Sequence, residues 1–113
     1  MSVDATDATF DDAVVERSKT VPVVVDFWAD WCPPCGPMAR TLAELEPEFA
    51  GRLLIGKLNA DENPEATRTY RVMSMPTLLF FNGGTLTGSM VGFRPKSVLR
   101  PALANAAAPY VNR

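Results

Sequence analysis

Val23-Val24-Val25-Asp26-Phe27-Trp28 runs on through Ala29-Asp30-Trp31 into Cys32-Pro33-Pro34-Cys35, and the reading of this stretch decides the fold. Its first half is β-branched and aromatic with a single charge, the composition of a central parallel strand covered on both faces. Its second half carries the only two cysteines in the 113-residue chain, three positions apart. From Pro34 onward Met38, Leu42, Leu45 and Phe49 recur at helical spacing, so a helix begins inside the cysteine motif. Two cysteines at a strand-to-helix junction can close into a small disulfide ring and open again, which points to thiol-disulfide chemistry.

Working outward, 53–59 reads as a second buried strand, and Asn63-Pro64 starts a helix with a side-chain cap and a proline in its first turn. Residues 77–81, the turn Asn82-Gly83-Gly84 and Thr85–Val91 form a β-hairpin. On the N-terminal side, Phe10, Val14 and Val15 lie at helical spacing within 8–18 behind Thr9 as a cap, and 2–5 is a candidate edge strand. At the other end 96–107 places Val98, Leu99, Ala102, Leu103 and Ala106 on one helical face. The order is βαβαβαββα, an α/β arrangement with a parallel core and an antiparallel hairpin at one side. Pro47 and Pro101 fall inside helical patterns, where each removes an amide and crowds the carbonyl four residues back. A kink is expected near 43–47. In the last helix, either Pro101 bends the chain or the regular part starts near Arg100.

Composition narrows the chemistry. The length fits one domain, 1–113, and 47% hydrophobic with 21% charged residues is ordinary for a water-soluble globular chain. A net charge of −2 offers no basic field for phosphates, so nucleic acid is not an expected partner. The absence of histidine removes imidazole bases and the usual histidine metal ligands. Residues 1–12 lack the positive and apolar regions of a secretion signal, and no segment approaches a membrane span, so the expected location is the cytoplasm. In that reducing compartment a lone Cys-x-x-Cys is catalytic or metal-binding rather than a staple, and it supplies only half of a four-thiolate zinc site.

The chain resembles the thioredoxin family along essentially its whole length. The matching pieces are Val25-Asp26-Phe27-Trp28-Ala29, Trp31-Cys32-x-Pro34-Cys35, Lys57 with Asn59 to Asp61 after it, Met75-Pro76-Thr77, Gly84 and Gly92. The resemblance implies a thioredoxin fold, a central mixed five-stranded sheet flanked by four helices. It also implies a protein dithiol-disulfide oxidoreductase with no bound cofactor or metal. Reducing equivalents would come from NADPH through a separate thioredoxin reductase-like donor, and the partners would be disulfide-containing proteins, with the chain itself a monomer.

The residues are consistent with that chemistry. A residue before proline avoids helical dihedrals, so Cys32 and Pro33 are expected to be extended and the helix to begin at Pro34. Cys32 then lies at the positive end of a helix dipole, which favours its thiolate, while Cys35 inside the first turn is expected to be more buried and to stay a thiol. Cys32 is the candidate nucleophile and Cys35 the resolving thiol. Strand alternation places Val24, Asp26 and Trp28 on one face and Leu53, Ile55 and Lys57 on one face of the next strand. The resemblance gives Asp26, near Lys57, the task of accepting a proton when Cys35 ionises; a purely structural ion pair is the other reading. By resemblance Pro76 is a cis-proline facing the cysteines and leaves the Met75 backbone free for an extended substrate. Trp31, Pro34, Met75, Pro76 and Gly92 are the substrate-binding candidates, with Val91 and Phe93 completing an apolar rim and Trp28 packing beneath the motif.

The chain departs from the family pattern at Pro33, where glycine is usual, at Arg40, where a helix-kinking proline is usual, and at Phe93, where a small residue is usual. Trp-Cys-Pro-Pro-Cys is similar to the motif of tryparedoxins and nucleoredoxins, but the remaining spacing follows thioredoxins. Two other classes compete with the enzyme reading. One is a binding module that turns over no disulfide, and the other is metal held between the cysteine pairs of two chains.

Overall fold

The computed structural model describes residues 3–111. Strand β2 (Val23–Trp28) is central in a five-stranded sheet of order β1-β3-β2-β4-β5, with β1 at Val3–Asp4, β3 at Leu54–Asn59, β4 at Thr77–Asn82 and β5 at Thr85–Val91. β1 and β2 run parallel to β3, β4 runs antiparallel to β2, and β5 antiparallel to β4. The position of β2 explains its composition: both of its edges are paired and both of its faces are covered, so alternate residues have no polar side to turn to. The expected edge strand at 2–5 is the two-residue β1, extended by the Ala5 amide donating to the Lys57 carbonyl (2.7 Å); Ser2 lies outside the described residues.

The two faces of the sheet carry separate cores. On one, Val23, Val25 and Phe27 of β2 meet Leu58, Leu79 and Phe81 together with Phe10, Val14, Ala66 and Val72. This core includes a chain of aromatic rings from Phe27 through Phe10 to Phe81 and Tyr70, with centroids 5.2–6.3 Å apart. On the other face, Val24, Ile55 and Leu78 meet Met38, Leu42 and Leu45 of helix α1 (Cys35–Leu45) and Leu99, Leu103 and Ala107 of helix α3 (Lys96–Val111). The helical segment at 11–19 and helix α2 (Pro64–Thr69) cover the first face. Counting α1 with its extension, four helical segments flank the sheet, as the resemblance implies.

Local chemistry departs from expectation at four places. The segment at 11–19 is a wide π-helical turn (Asp11–Glu16) followed by a tight 3-10 turn (Arg17–Lys19), and the Thr9 hydroxyl does not cap it. Instead Thr9 Oγ1 accepts the Thr6 amide (2.9 Å) while Thr6 Oγ1 accepts the Thr9 amide (3.2 Å). Asn63 is the N-cap residue of α2, but its side chain turns away and accepts the Asp7 amide (2.8 Å). The cap comes from Asp7, whose carboxylate accepts the amides of Glu65 (3.1 Å) and Ala66 (2.8 Å) from 58 and 59 positions away. Pro47 ends α1 rather than kinking it: the α-helix stops at Leu45 and continues as a 3-10 turn, Glu46–Phe49. Pro101 sits within α3, which begins at Lys96 and not near Arg100. It faces solvent, where water can serve the Ser97 carbonyl that the missing amide leaves.

The hairpin turn is secured from the far side of the sheet. Gly83 and Gly84 both have positive φ (66° and 87°), as a two-residue turn between twisted strands demands. Their amides donate to the carbonyl (2.8 Å) and hydroxyl (2.9 Å) of buried Ser18.

Candidate redox site

The cysteines lie where β2 ends and α1 begins, at the carboxyl end of the central strand. The Cys32 amide donates to the Ala29 carbonyl (3.2 Å), and the Cys35 amide closes a turn onto the Cys32 carbonyl (3.2 Å). Pro33 and Pro34 occupy that turn, so Pro33 is not extended; Pro34 has φ −76° and ψ −8°, and α1 starts at Cys35, one residue later than expected. Cys32 and Cys35 form a disulfide with their Cα atoms 5.5 Å apart. In this closed state the two cysteines are about equally buried, 6% and 4% exposed, because the ring folds the Cys32 sulfur onto Ala29 and Cys35. The expected contrast in burial is therefore absent from the disulfide form.

Around the ring pack Trp28, below it in β2, and Met75, from the loop before β4. The Met75–Pro76 peptide is cis, and Pro76 is buried. The Pro76 carbonyl accepts the Gly92 amide (2.8 Å), which ties the end of β5 to this loop. Gly92 has φ +92°, a conformation that side-chain-bearing residues rarely adopt, so glycine permits the chain to turn there beside the rim. Val91 and Phe93 on either side are exposed. Trp31 is 63% exposed and stands apart from the packed ring, its indole N–H donating to Asp61 Oδ2 (2.8 Å).

That contact identifies a residue whose role the sequence reading missed. Asp61 is itself placed by Asn59, whose Oδ1 accepts the amides of Asp61 (3.0 Å) and Glu62 (3.3 Å). An Asn followed two positions later by Asp at a strand end is the signature of such a side-chain turn. What the turn would hold is visible only in three dimensions.

Asp26 is 1% exposed and lies opposite Lys57 on β3 and Leu78 on β4. Neither carboxylate oxygen has a hydrogen-bond partner. Burial pushes its pKa up to about 7, and the Lys57 charge opposes that only in part. Lys57 is half-buried and lines a cleft of ≈ 360 Å³ together with Trp28, Asp30, Cys32, Pro33 and Cys35. The cleft joins the cysteine ring to the Lys57 ammonium, the charge that opposes the rise in the Asp26 pKa. Such an arrangement can hold a proton near neutral pH on the strand that leads into the cysteine ring. Among the described residues no group of three or more Cys, Asp or Glu is placed to hold a metal ion, and no helix is long and apolar enough to cross a membrane.

The family model described as Thioredoxin matches residues 1–105. The chain is 45% identical over 100 residues to the thioredoxin of Alicyclobacillus acidocaldarius subsp. acidocaldarius, covering 88% of this chain and 92% of that protein. It is 43% identical over 93 residues to the thioredoxin of Haemophilus influenzae, with coverage of 82% and 85%. Against the chloroplastic M-type thioredoxin of Spinacia oleracea it is 40% identical over 106 residues, 94% of this chain and 58% of that protein.

Proposed function

This chain belongs to the thioredoxin family and is a dithiol-disulfide oxidoreductase, and from that premise we propose how its residues divide the work. Cys32, ahead of the first turn of α1, is the nucleophile. The amides at the start of the helix favour its thiolate once the ring opens. The thiolate attacks one sulfur of a substrate disulfide, forming a mixed disulfide and releasing the other sulfur as thiolate. Asp26 takes the proton of Cys35. The Cys35 thiolate then attacks the Cys32 sulfur, closes the ring and releases the second substrate thiolate. Lys57 tunes the affinity of Asp26 for that proton from the cleft.

The observation that carries this division is a buried carboxylate without a hydrogen-bond partner, its pKa raised to about 7, on the strand that leads into the cysteine ring. The Lys57 charge favours the ionised carboxylate but does not cancel the effect of burial, which leaves the group able to take up a proton near neutral pH. Substrate docks on Trp31, Pro34, Met75, Pro76 and Gly92, and the Met75 backbone, beyond the ladder that starts at Thr77, pairs with an extended segment of it. Residues 1–113 act as a single monomeric domain in the cytoplasm. The disulfide is recharged by a reductase that draws on NADPH, and no nucleic acid takes part.

The division of labour is tested by trapping. Cys32→Ser abolishes reduction of a protein disulfide, and Cys35→Ser accumulates a covalent adduct through Cys32. If Cys35→Ser forms no adduct while the unmodified protein is active, the two roles are wrongly assigned.

A further inference from the structure

Met73 lies in the loop between α2 and β4 and is 93% exposed, the highest value among the large hydrophobic residues described. By contrast Met38 is fully buried, and Met75 and Met90 are half-buried. Two positions beyond Met73, Met75 packs on the cysteine ring. On its other side Met73 lines a groove of ≈ 310 Å³ with Tyr70, Leu79, Leu86 and Val91, of which Leu86 and Val91 are exposed. Met73 thus extends the apolar rim of the redox site onto the outer face of the hairpin. An apolar side chain left in water adds almost nothing to the fold; it offers a flexible, polarisable contact to something outside.

We propose that Met73 is a peroxide modification site whose oxidation weakens substrate docking, an inference that rests on reading the rim as the substrate surface. The sulfur lone pair attacks one peroxide oxygen. The O–O bond breaks, an S–O bond forms, and the other oxygen leaves as water after proton transfer. The thioether is oxidised by two electrons and hydrogen peroxide is reduced by two. The product replaces an apolar contact with a strong dipole, and a sulfoxide reductase can reverse it. Because Cys32 and Cys35 take no part, the change falls on docking and spares the exchange chemistry.

The test treats the disulfide form of the full chain with hydrogen peroxide and locates the added oxygen by fragmentation mass spectrometry, since Met73, Met75 and Met90 share one tryptic segment. Oxygen enters Met73 about tenfold faster than Met75 or Met90, with Met38 slowest. After removal of peroxide, KM for a protein disulfide is roughly fivefold higher with kcat unchanged, and sulfoxide reductase restores it. In Met73→Leu the ratio of KM after and before peroxide stays near one. Faster oxidation at Met75 or Met90 overturns the site but leaves the rim reading standing, which Met73→Gln tests without peroxide through its own rise in KM. A sulfoxide at Met73 with unchanged KM overturns the coupling, and an unchanged KM in Met73→Gln as well removes Met73 from the substrate surface.

Discussion

Phe27 and Asp26 are neighbours on β2, both all but inaccessible, and they face opposite cores. Phe27 points into a core of rings and aliphatic side chains in which every contact favours folding. Asp26 points to the side of α1 and α3, where its carboxylate is removed from water with no hydrogen bond to replace hydration. One face of the strand holds the molecule together, and the other carries, at a cost in stability, the buried carboxylate proposed above as the proton acceptor. Buried apolar groups act at every pH, whereas a buried acid acts only where it is ionised.

The comparison is broken most severely on the Phe27 face. Phe27→Ala is expected to cost about 3–5 kcal/mol at any pH, since it removes a large ring from a site with no room to collapse. Denaturant melts at pH 4 and pH 8 should show the same loss; a loss confined to one pH would mean that this face also contains a titrating element.

Asp26→Ala sharpens the contrast with the opposite sign. Folding raises the affinity of Asp26 for its proton, so the native state carries no penalty below the ordinary carboxylate pKa. Stability is lost as pH rises from there to about 7, and the loss persists above. The full shift corresponds to a penalty of the order of 4 kcal/mol, reduced in the variant by the small cavity that alanine leaves. The denaturation midpoint of Asp26→Ala should therefore exceed that of the parent at pH 8 and equal it or fall below it at pH 4. Resolution by Cys35, followed by single-turnover disulfide reduction, should slow. A variant that is destabilised at pH 8 with an unchanged rate would make Asp26 a structural partner of Lys57.

Smaller effects follow for polar groups at the margins of the two cores. Asp7→Ala, which removes the cap on α2 on the Phe27 side, is expected to cost about 1 kcal/mol, with hydrogen exchange faster at the amides of Glu65 and Ala66. Protection unchanged at those two amides would mean that water replaces the carboxylate without loss. On the Asp26 side, Glu48 meets Arg100 (3.0 Å) and Glu44 meets Lys96 (2.7 Å) across α1, its extension and α3. Each carboxyl is held below its ordinary pKa by its partner. These pairs are solvated, so Glu48→Gln should leave the denaturation midpoint unmoved in moderate salt; a clear drop would show that the pair fixes how α3 packs.

Much of this was legible because the decisive signals are local. The Val-rich run of β2, the helical spacing from Met38 to Phe49 and the Gly83-Gly84 turn each declare an element through the period or dihedrals of a few consecutive residues. Two positions depart from expectation because a side chain chose a distant partner. Asn63 has the composition of a cap, but its oxygen serves the Asp7 amide while Asp7 caps α2. Asp61 looks like a loop residue and holds Trp31. Pro34 alone favours an extended Pro33, whereas closure of the ring places Pro33 in a turn.

What the sequence by itself determined is the order of elements, the pairing of two cysteines at a helix start and the presence of one acid in an apolar strand. Each follows from covalent spacing and residue chemistry. Only the tertiary structure decided that this acid lies in register with Lys57 and is shut away from water, that Met75 packs on the cysteine ring, and that the Gly92 amide ties the end of β5 to Pro76. Desolvation and convergence depend on which surfaces exclude water together, and no stretch of chain carries that information until the sheet has folded around it.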